Sequence, residues 1–305
     1  MPHDPGFPLV ESGEAGHPWP VWAGEFQTDD EAFAAAHDAL SSLQRAWIKQ
    51  ALARLFAVND PGGPVRHRRS ALFSPDCESV SICRPRPWAV VAVGSDFASP
   101  ARLLAACLPA IRARVEALAV VRVGRKTSWP PSVLAALELA GMETAFELTP
   151  AQAGRFFSET GQRAPGGIVV DFGTAGPVPA GVREVRCAPR ATLGVWRSAV
   201  RTFDLSALVF AHPESRVEVW GKVTGLPVGV HGREGGFDAF LGCGYDAVFV
   251  PGGMIRRVLD APFGPGLVLG PRMECFWTFP GLSVTDFLET RLAVAAAGPG
   301  RKGCL

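Results

Sequence analysis

Between residues 88 and 172, short apolar runs alternate with segments that begin like helices, and this alternation constrains the fold more than any other feature of the sequence. The apolar runs predict buried strands at Trp88–Val93, Leu118–Val123, Thr144–Leu148 and Ile168–Phe172. Helices are predicted at residues 100–114 after the cap Ser99-Pro100, at Pro131–Ala140, and from Thr149-Pro150 onward. Because strands separated by helices pair in parallel, we expect a parallel sheet covered on both faces.

In the second half of the chain, predicted strands and helices also occur, but they alternate less regularly. Its predicted strands are Val182–Cys187, Ala207–Ala211, Val217–Trp220, Pro227–Val230 and Ala247–Pro251. Its predicted helices are residues 191–200, 235–242, 253–260 and 283–297. We find no internal sequence repeat. A chain of 305 residues exceeds the usual size of one domain, so we expect two α/β lobes, or one lobe with additions.

The N-terminal region is predicted to be an arm followed by a packing helix. Residues 1–27 are rich in Pro and Gly and carry Trp and Phe, which indicates an arm laid over a surface. Thr28 and Glu31 have the spacing of a capping box, so a helix should follow. Apolar residues then recur at three- and four-residue steps as far as Phe56, which predicts one continuous helix. The basic run 66–69 is predicted to be a solvated loop.

Composition and charge exclude several classes of protein. With 48% hydrophobic and 19% charged residues, the chain belongs among globular proteins. A net charge of +1 provides no field that would gather phosphates, so we expect no nucleic-acid partner. The sequence shows no secretory signal and no apolar run near the roughly 20 residues that cross a bilayer, so we expect no membrane partner. Seven cysteines without a C-x-x-C pair are typical of reduced thiols, which indicates a cytoplasmic protein.

Three segments, in this order, carry a resemblance to a known family. Residues 99–123 join a helix with an internal proline to a strand of valines, and residues 131–154 contain a helix followed by Pro-Ala-Gln-Ala-Gly. Residues 281–289, Gly-Leu-Ser-Val-Thr-Asp-Phe-Leu-Glu, come after the predicted strand Ala247–Pro251. Together these segments resemble the histidinol dehydrogenase family, over roughly residues 85–160 and 205–290.

The resemblance implies two incomplete Rossmann-like lobes with parallel-rich sheets and an N-terminal helical arm. We accordingly divide the chain into an arm and packing helix, a first lobe, a second lobe and a tail, at residues 1–85, 86–172, 173–297 and 298–305. Members of the family bind substrate and zinc between the lobes and use NAD to oxidise an amino alcohol to an acid through an aldehyde. They are homodimers, so the resemblance also implies a homodimer here.

The residues that match the family's site lack most of its chemistry. Glu214 matches the glutamate of the family's Glu-His acid–base pair, and Ser215 stands where the histidine would be. Because serine does not titrate near neutrality, this pair cannot shuttle protons in the same way. Asp260 matches a zinc ligand, but Leu267 replaces the histidine of the following loop. A catalytic zinc needs about three protein ligands, so Asp260 alone is insufficient and we expect no zinc.

Other patterns give further candidates. Gly94 and Ser95 come at the carboxyl end of a predicted strand, where open α/β sheets bind ligands, so we take them as cofactor-binding candidates. The neighbouring Asp96 would repel a phosphate, and an ordinary turn is the alternative interpretation. The residue types of Gly242-Cys-Gly-Tyr-Asp-Ala match the dinucleotide-binding motif, but the glycines precede a predicted strand instead of following one. This position indicates a helix stop and a turn. The aromatic run 276–279 is typical of a core or an interface.

These observations lead to three interpretations. The first is a histidinol-dehydrogenase-like protein without the family's zinc-dependent activity and without a cofactor, whose interlobe cleft binds a small metabolite or a protein partner. The second is an active NAD-dependent oxidoreductase that acts on an alcohol or aldehyde such as an amino alcohol, with Glu214 and Asp260 taking part. The third is a structural subunit of a hetero-complex that docks through its N-terminal arm.

Overall fold

The computed structural model describes residues 17–74, 77–124, 128–174, 176–222 and 229–296. At the start of the first range, the N-terminal arm lies on the rest of the chain. Trp19 stacks on Phe156 with ring centroids 5.5 Å apart, and it meets Trp88 and Phe146 edge-on. A turn of 3₁₀ helix at Val21–Phe26 packs in the same apolar cluster. The predicted arm over a surface is therefore confirmed for residues 17–27, and the surface belongs to this chain.

Two helices, rather than the one predicted, follow the arm: α1 (Asp30–Ala39) and α2 (Ser42–Val58). The carboxylate of Asp29 caps α1 by accepting a hydrogen bond from the first turn at 2.8 Å, so the cap lies one residue later than predicted. Between the helices, Ser41 and Gln44 form a capping box in which each side chain accepts from the other's amide. The apolar stripe runs across this break, which is why periodicity alone did not reveal it.

A hairpin comes next, formed by β1 (His67–Ser74) and β2 (Cys77–Pro85) in antiparallel pairing. The basic run predicted as a solvated loop is the beginning of β1, so that prediction is wrong. The side chains of residues 66–69 are exposed, as expected, but their backbone pairs with a neighbouring strand. Strand formation depends more on such pairing than on residue type.

The first lobe is a parallel sheet whose strands alternate with helices. The strands are β3 (Trp88–Gly94), β4 (Ala117–Val123), β5 (Ala145–Leu148), β6 (Ile168–Asp171) and β7 (Arg183–Arg186). The helices are α3 (Pro100–Arg112), α4 (Pro131–Leu139) and α5 (Pro150–Arg163). The strand order is β5-β4-β3-β6-β7. Residues 88–93 of β3 are fully buried, because helices cover both faces. The strands and helices predicted for this region are confirmed.

The second lobe has a second parallel sheet with the same topology. Its strands are β8 (Thr192–Trp196), β9 (Arg216–Trp220), β10 (Val230–Arg233), β11 (Ala247–Phe249) and β12 (Leu267–Leu269). Its helices are α6 (Leu205–Ala211), α7 (Phe237–Leu241) and α8 (Ile255–Leu259). The strand order is β10-β9-β8-β11-β12, which repeats that of the first lobe although the sequence shows no repeat.

Two predictions in the second lobe are wrong. Residues 191–200, predicted as a helix, contain β8, and residues 207–211, predicted as a strand, lie in α6. Apolar runs this short have no usable period, so the environment decides between helix and strand. The predicted strand at residues 227–230 falls mostly outside the described residues. The remaining predicted strands and helices before residue 283 are confirmed within a few residues, including the helix stop at Gly242.

Helix α3 lies between the two lobes and belongs to the cores of both. The hydroxyl of Ser99 caps it, and the residues from Pro100 to Ala110 are all buried. Leu103 packs in the core of the first lobe, whereas Leu104 packs in the core of the second. A helix that is apolar on every side is typical of such a buried position.

The third sheet joins distant parts of the chain. After a 3₁₀ turn at Val284–Phe287, strand β13 (Leu288–Ala296) pairs antiparallel with β2, giving the order β1-β2-β13. Residues 283–297 were predicted as a helix, and that prediction is wrong. The Ala and Leu residues of this segment favour a helix, but the edge of the hairpin provides a strand partner.

Taken together, the sheets make a mixed α/β fold with parallel-rich sheets, two incomplete Rossmann-like lobes and N-terminal helices, so the predicted fold class is confirmed. The domain boundaries stay a prediction, and the tail 298–305 lies outside the described residues. Among the described helices, none combines the length and the apolar character needed to cross a membrane.

Candidate ligand cavity between the lobes

A cavity of about 430 Å³ lies between the lobes. On one side it is lined by residues 185–188, where β7 ends, and on the other by residues that precede second-lobe strands, such as Ala191 before β8 and Asp246 before β11. The carboxyl edge of the first sheet thus faces the amino edge of the second. The carboxyl edge of an open sheet is where ligands bind, and the volume lies within the range of about 300–1,000 Å³ usual for small-molecule sites.

Apolar and aromatic side chains form much of the cavity wall. They include those of Trp277, Phe279, Leu241 and Tyr245. Trp277 and Tyr245 are almost fully buried, which fixes the positions of their rings. Phe263, in contrast, is 86% exposed at the rim, where it adds apolar surface to the mouth. Such walls suit a ligand with a planar apolar body.

The ring of Tyr245 is held in place by a buried carboxylate. Its hydroxyl donates to Glu218 at 2.7 Å, and Glu218 also accepts from Arg233 at 3.0 Å and pairs with Arg216. Burial and the bond to Glu218 raise the pKa of Tyr245. The hydroxyl therefore stays protonated at neutral pH and serves to position the ring.

Arg102 lies at the inner end of the cavity and connects the lobes. Its guanidinium donates to the carbonyls of Ala188 and Pro189 in the interlobe linker, the latter at 3.0 Å, and to the carboxylate of Glu214 at 3.2 Å. Burial lowers the pKa of Arg102 and raises that of Glu214, whereas their contact favours the charged form of each. Each charge therefore depends on the other. The guanidinium is surrounded by the rings of Phe97, Phe172 and Trp277.

A buried histidine lies beside this ion pair. The hydroxyl of Ser99 donates to the carbonyl of Ala211 at 2.6 Å and lies 3.4 Å from Nδ1 of His212. The imidazole of His212 is fully buried and packs against Trp277 with ring centroids 5.3 Å apart. Burial, helped by the charge of Arg102, lowers the pKa of His212 to about 3, so the imidazole is neutral at physiological pH.

Cys187 is the thiol that lines the cavity among the described residues. Burial raises its pKa to about 11, although Arg102 acts in the opposite direction. A thiol with this pKa is almost entirely protonated at neutral pH, so Cys187 is a poor nucleophile in the structure as it stands.

The structure places the predicted site residues at three different locations. Glu214 and Ser215 precede β9 and lie behind the cavity wall, where Glu214 contacts the lining residue Arg102. Gly94 ends β3 at the carboxyl edge of the first sheet, and Ser95 follows it in a turn. Asp260 ends α8, is 73% exposed at its side chain, and faces Arg256 at 3.8 Å. None of these five lines the cavity. Their predicted roles stay predictions.

The loop at Gly94 does not fit the pyrophosphate of a dinucleotide. A Cβ on Gly94 would meet the carboxylate of Asp96 at 3.0 Å and the side chain of Thr174 at 3.2 Å, so the space above this glycine is occupied. The first turn of α3, which could offer amides to a phosphate, is capped by Ser99, and Ser99 itself is buried against the second lobe. This loop therefore does not offer the open glycine and free helix amides that the pyrophosphate of NAD would need.

The residues at the position of the family's metal do not fit zinc either. Asp260 is on the surface in an ion pair, and Leu267 belongs to β12. Within the described ranges, no group of three His, Cys, Asp or Glu residues is close enough to hold a metal ion.

Several cavity residues were missed by sequence reasoning. Arg102 is the most informative, because it is a single charge in the apolar start of α3, Pro-Ala-Arg-Leu-Leu-Ala-Ala. A lone charge there signals a buried partner. Trp277 and Phe279 were noticed as an aromatic run and interpreted as core or interface, and they do pack in the core while also lining the cavity. No sequence signal distinguished Tyr245 or Cys187.

Comparisons with known proteins show the fold. A crystal structure of histidinol dehydrogenase from Elizabethkingia anophelis is similar over 89% of this chain and 77% of that chain, with a TM-score of 0.56 and 13% identity. A NAD-dependent benzaldehyde dehydrogenase from Corynebacterium glutamicum matches with a TM-score of 0.48 at 12% identity, covering 88% of this chain and 90% of that one. An acetylating aldehyde dehydrogenase from Geobacillus thermoglucosidasius matches with a TM-score of 0.47 at 9% identity, covering 90% and 92%.

No family model matches the sequence, and no curated protein is similar to it in sequence. At such low identity the likeness to histidinol dehydrogenase concerns the fold alone, and the two weaker likenesses carry no argument. The resemblance stated from the sequence is confirmed at the level of a dehydrogenase-like fold. Membership of the histidinol dehydrogenase family stays a prediction.

Proposed function

We propose that this chain is a small-molecule-binding protein that has the histidinol dehydrogenase fold, binds its ligand in the interlobe cavity and does not carry out zinc-dependent oxidation. The observation that carries the proposal is the cavity itself. Aromatic side chains line it, the ion pair of Arg102 and Glu214 closes its inner end, and the carboxyl edge of the first sheet opens into it.

The chemistry of the described residues supports binding rather than turnover. Around the cavity, Tyr245 and Cys187 both have raised pKa values, and His212 is buried and neutral, so each is poorly suited to take up a proton at neutral pH. Glu214 is engaged by Arg102, and Ser215 cannot replace an imidazole as an acid or base. A ligand can be held by these groups without being transformed.

The ligand we expect has a planar, uncharged body. Trp277, Phe279 and Tyr245 offer aromatic surface, and the charges of Arg102 and Glu214 balance each other. A strongly charged ligand would meet no uncompensated buried partner of opposite sign within the described cavity.

Blocking the cavity tests this proposal. The space beside the α-carbon of Gly281, a lining residue, is open, and so is that beside Gly253, which lies outside the cavity. Because Gly281 lines the cavity, Gly281→Trp should place an indole at the cavity wall and obstruct binding without a backbone clash, and Gly253→Trp is the matched control. We expect acetophenone, an uncharged planar probe, to bind the wild type and Gly253→Trp with a Kd on the order of millimolar and to lose binding in Gly281→Trp. Isothermal titration calorimetry measures all three.

The competing interpretations predict other results. Formation of NADH from an amino alcohol, together with stoichiometric zinc, would support the active oxidoreductase and contradict the proposal. Equal binding of acetophenone to both Trp variants would place the probe outside the cavity and contradict it as well. A stable complex with another protein that is lost on deleting residues 1–27, with no binding of the probe, would support the structural subunit.

A further inference from the structure

A second cavity, of about 530 Å³, lies at the base of the hairpin of β1 and β2 and shares no lining residue with the interlobe cavity. Its wall comes from the turn after α2, from the start of β1 and the end of β2, and from the segment between α3 and β4. Three of its lining residues are arginines, Arg66, Arg112 and Arg114, and the acidic residue described there is Glu116. We name this space the arginine cavity.

The fold brings together basic residues that are far apart in the sequence. Arg66 begins the basic run 66–69 at the start of β1, whereas Arg112 ends α3 and Arg114 follows two residues later. Like charges repel, so guanidinium groups gathered around one space oppose folding unless an anion joins them. Clusters of arginine are typical of sites that recognise phosphate.

Acidic neighbours neutralise these arginines only in part. Arg112 donates to Asp60 at 3.3 Å, and Arg66 lies 3.7 Å from Glu116. The acidic side chains are 69% and 86% exposed, so water screens both pairs and each is worth little. The guanidinium of Arg114 has no ion pair or hydrogen bond with any described residue. An anion that enters the cavity therefore displaces no strong contact.

The backbone of Arg114 has a conformation that usually belongs to glycine. Its φ is 59°, in the left-handed region, directly after the C-cap Ala113. Its amide donates to the carbonyl of Ile111, and the amide of Val115 donates to that of Ala110, which is the pattern of a Schellman motif. Glycine is the usual residue at this position because a Cβ is strained there. Arginine therefore gives up some stability here and adds a charge to the cavity wall.

The rest of the wall leaves recognition of a charged group to the arginines. Pro61, Pro64 and Pro85 have no amide hydrogen, and Val65 is apolar. The guanidinium groups come from two separate segments of the chain. A planar carboxylate pairs with one guanidinium fork at a time, whereas the oxygens of a phosphate group can accept from several. A net charge of +1 gives no long-range attraction for nucleic acid, which favours a small soluble ligand.

We propose that the arginine cavity binds the phosphate group of a small soluble metabolite. The phosphate oxygens accept hydrogen bonds from Arg66, Arg112 and Arg114, and the prolines of the wall contact the rest of the molecule. Glu116 opposes the bound anion and limits its affinity. This site is separate from the interlobe cavity, so it goes beyond the proposed function and does not depend on it.

Inorganic pyrophosphate, inorganic phosphate and acetate test the site on the full chain by isothermal titration calorimetry at pH 7. We expect pyrophosphate to bind most tightly and acetate most weakly, because charge and the number of acceptor oxygens decrease in this order. Added salt should weaken the binding of pyrophosphate. Equal binding of acetate and pyrophosphate would overturn the proposal. So would binding to vesicles of phosphatidylcholine and phosphatidic acid without binding of pyrophosphate, which would assign the arginines to a membrane surface.

Arg114→Gly separates binding from folding. This change removes a guanidinium and relieves the left-handed strain, so the affinity for pyrophosphate should fall about tenfold while the urea midpoint of unfolding does not fall. Arg272 is the matched control, because its φ is 71° and it lies outside the arginine cavity. Arg272→Gly should leave the affinity unchanged. Unchanged affinity in Arg114→Gly, or an equal loss in both variants, would overturn the site.

The acidic residue of the cavity gives a test of opposite sign. Glu116→Gln removes a negative charge beside the ligand, so pyrophosphate should bind several-fold more tightly. The side chain is 86% exposed, so the fold should not change. Weaker binding in this variant would contradict the assignment.

Gly281→Trp distinguishes this inference from the proposed function. The variant obstructs the interlobe cavity, which shares no lining residue with the arginine cavity, so it should bind pyrophosphate as the wild type does. Loss of pyrophosphate binding in Gly281→Trp would place the anion in the interlobe cavity and overturn the arginine cavity as its site. Failure of acetophenone to bind the wild type would overturn the proposed function and leave this inference standing.

Discussion

The two lobes have the same strand order but reach stability in different ways. In the first lobe, α3 and α5 have 13 and 14 residues, and the central strands are buried on both faces. In the second lobe, α6, α7 and α8 have 7, 5 and 5 residues, and the side chains of the edge strand β10 are largely exposed. Helices this short cannot cover a sheet by themselves.

The second lobe is covered by helices from the first half of the chain. Its core includes Leu52 and Leu55 from α2 and Leu104 from α3, together with its own strands. The first lobe is therefore covered largely by its own long helices, although its core also includes Phe33 from α1 and Phe287 near the end of the chain, whereas the second lobe depends on helices from outside it. This difference teaches that the lobe boundary is not a boundary of the core, and we expect the contacts made by α3 to contribute to the stability of the second lobe.

Among the changes considered, loss of the guanidinium of Arg102 should destabilise the second lobe most. Arg102→Met leaves the carboxylate of Glu214 buried without its partner and removes the bonds to the linker carbonyls. We expect a loss of about 3–5 kcal/mol in the free energy of unfolding, measured by urea denaturation. Hydrogen exchange should rise first in the second lobe.

The double variant Arg102→Met, Glu214→Leu is the control for that prediction. It removes the unpaired charge as well, so it should recover a substantial part of the lost stability. A double variant as unstable as the sum of the two single variants would contradict the view that pairing of buried charges connects the lobes.

Two neighbouring leucines of α3 test the comparison directly. Leu103 packs in the first-lobe core and Leu104 in the second-lobe core, and both are buried. Leu103→Ala and Leu104→Ala should each cost about 2–5 kcal/mol. Hydrogen exchange followed by mass spectrometry should show faster exchange in the first lobe for Leu103→Ala and in the second for Leu104→Ala. An identical exchange pattern in both variants would mean that the lobes unfold as one unit.

Acid should weaken the junction of the lobes through His212. Burial lowers its pKa from an ordinary 6.5 to about 3, so between these pH values the unfolded chain binds a proton that the folded chain does not. Stability is therefore lost as the pH falls through this window, by up to about 1.4 kcal/mol per pH unit. His212→Phe should show a shallower decline in urea midpoint between pH 6.5 and pH 4. Parallel pH curves for wild type and variant would contradict this.

The smallest effect is expected at Asp260. Its side chain is 73% exposed and its pair with Arg256 is 3.8 Å long, so Asp260→Asn should change the free energy of unfolding by less than about 0.5 kcal/mol. Acetophenone binding should not change, since Asp260 lies outside the cavity. Loss of binding or of a zinc-dependent activity in this variant would restore the metal-ligand role predicted from the resemblance.

The sequence predicted the first lobe much better than the second. The reason is that the first lobe has long helices and long buried strands, whereas the second has short elements. In the first lobe, buried strands give continuous apolar runs such as Trp88–Val93, and long helices carry clear caps at Ser99 and Thr149. In the second lobe, β8 and α6 are short apolar segments whose conformation depends on helices far away in the sequence. Residues 288–296 likewise form a strand because β2 offers a partner, and nothing local specifies it.

The site was predicted less well than the fold. Glu214 was selected for a role in acid–base chemistry, and the structure shows it in an ion pair with Arg102, a residue that no motif identified. Contacts between α3 and the loop before β9 join positions more than a hundred residues apart, and a single sequence does not report such pairs. Only the presence of a lone arginine in an apolar helix could have pointed to this contact.

The pairing of β13 with β2 affects the order in which the chain can fold during synthesis. Leu288 pairs with Pro85 and Ala296 with Cys77, so the third sheet joins segments about two hundred residues apart in the sequence. During synthesis, the hairpin emerges from the ribosome long before its partner strand exists, and its edge must wait unpaired while both lobes assemble. We expect such late, non-local closure to slow folding and to leave the edge of the nascent hairpin open to chaperones.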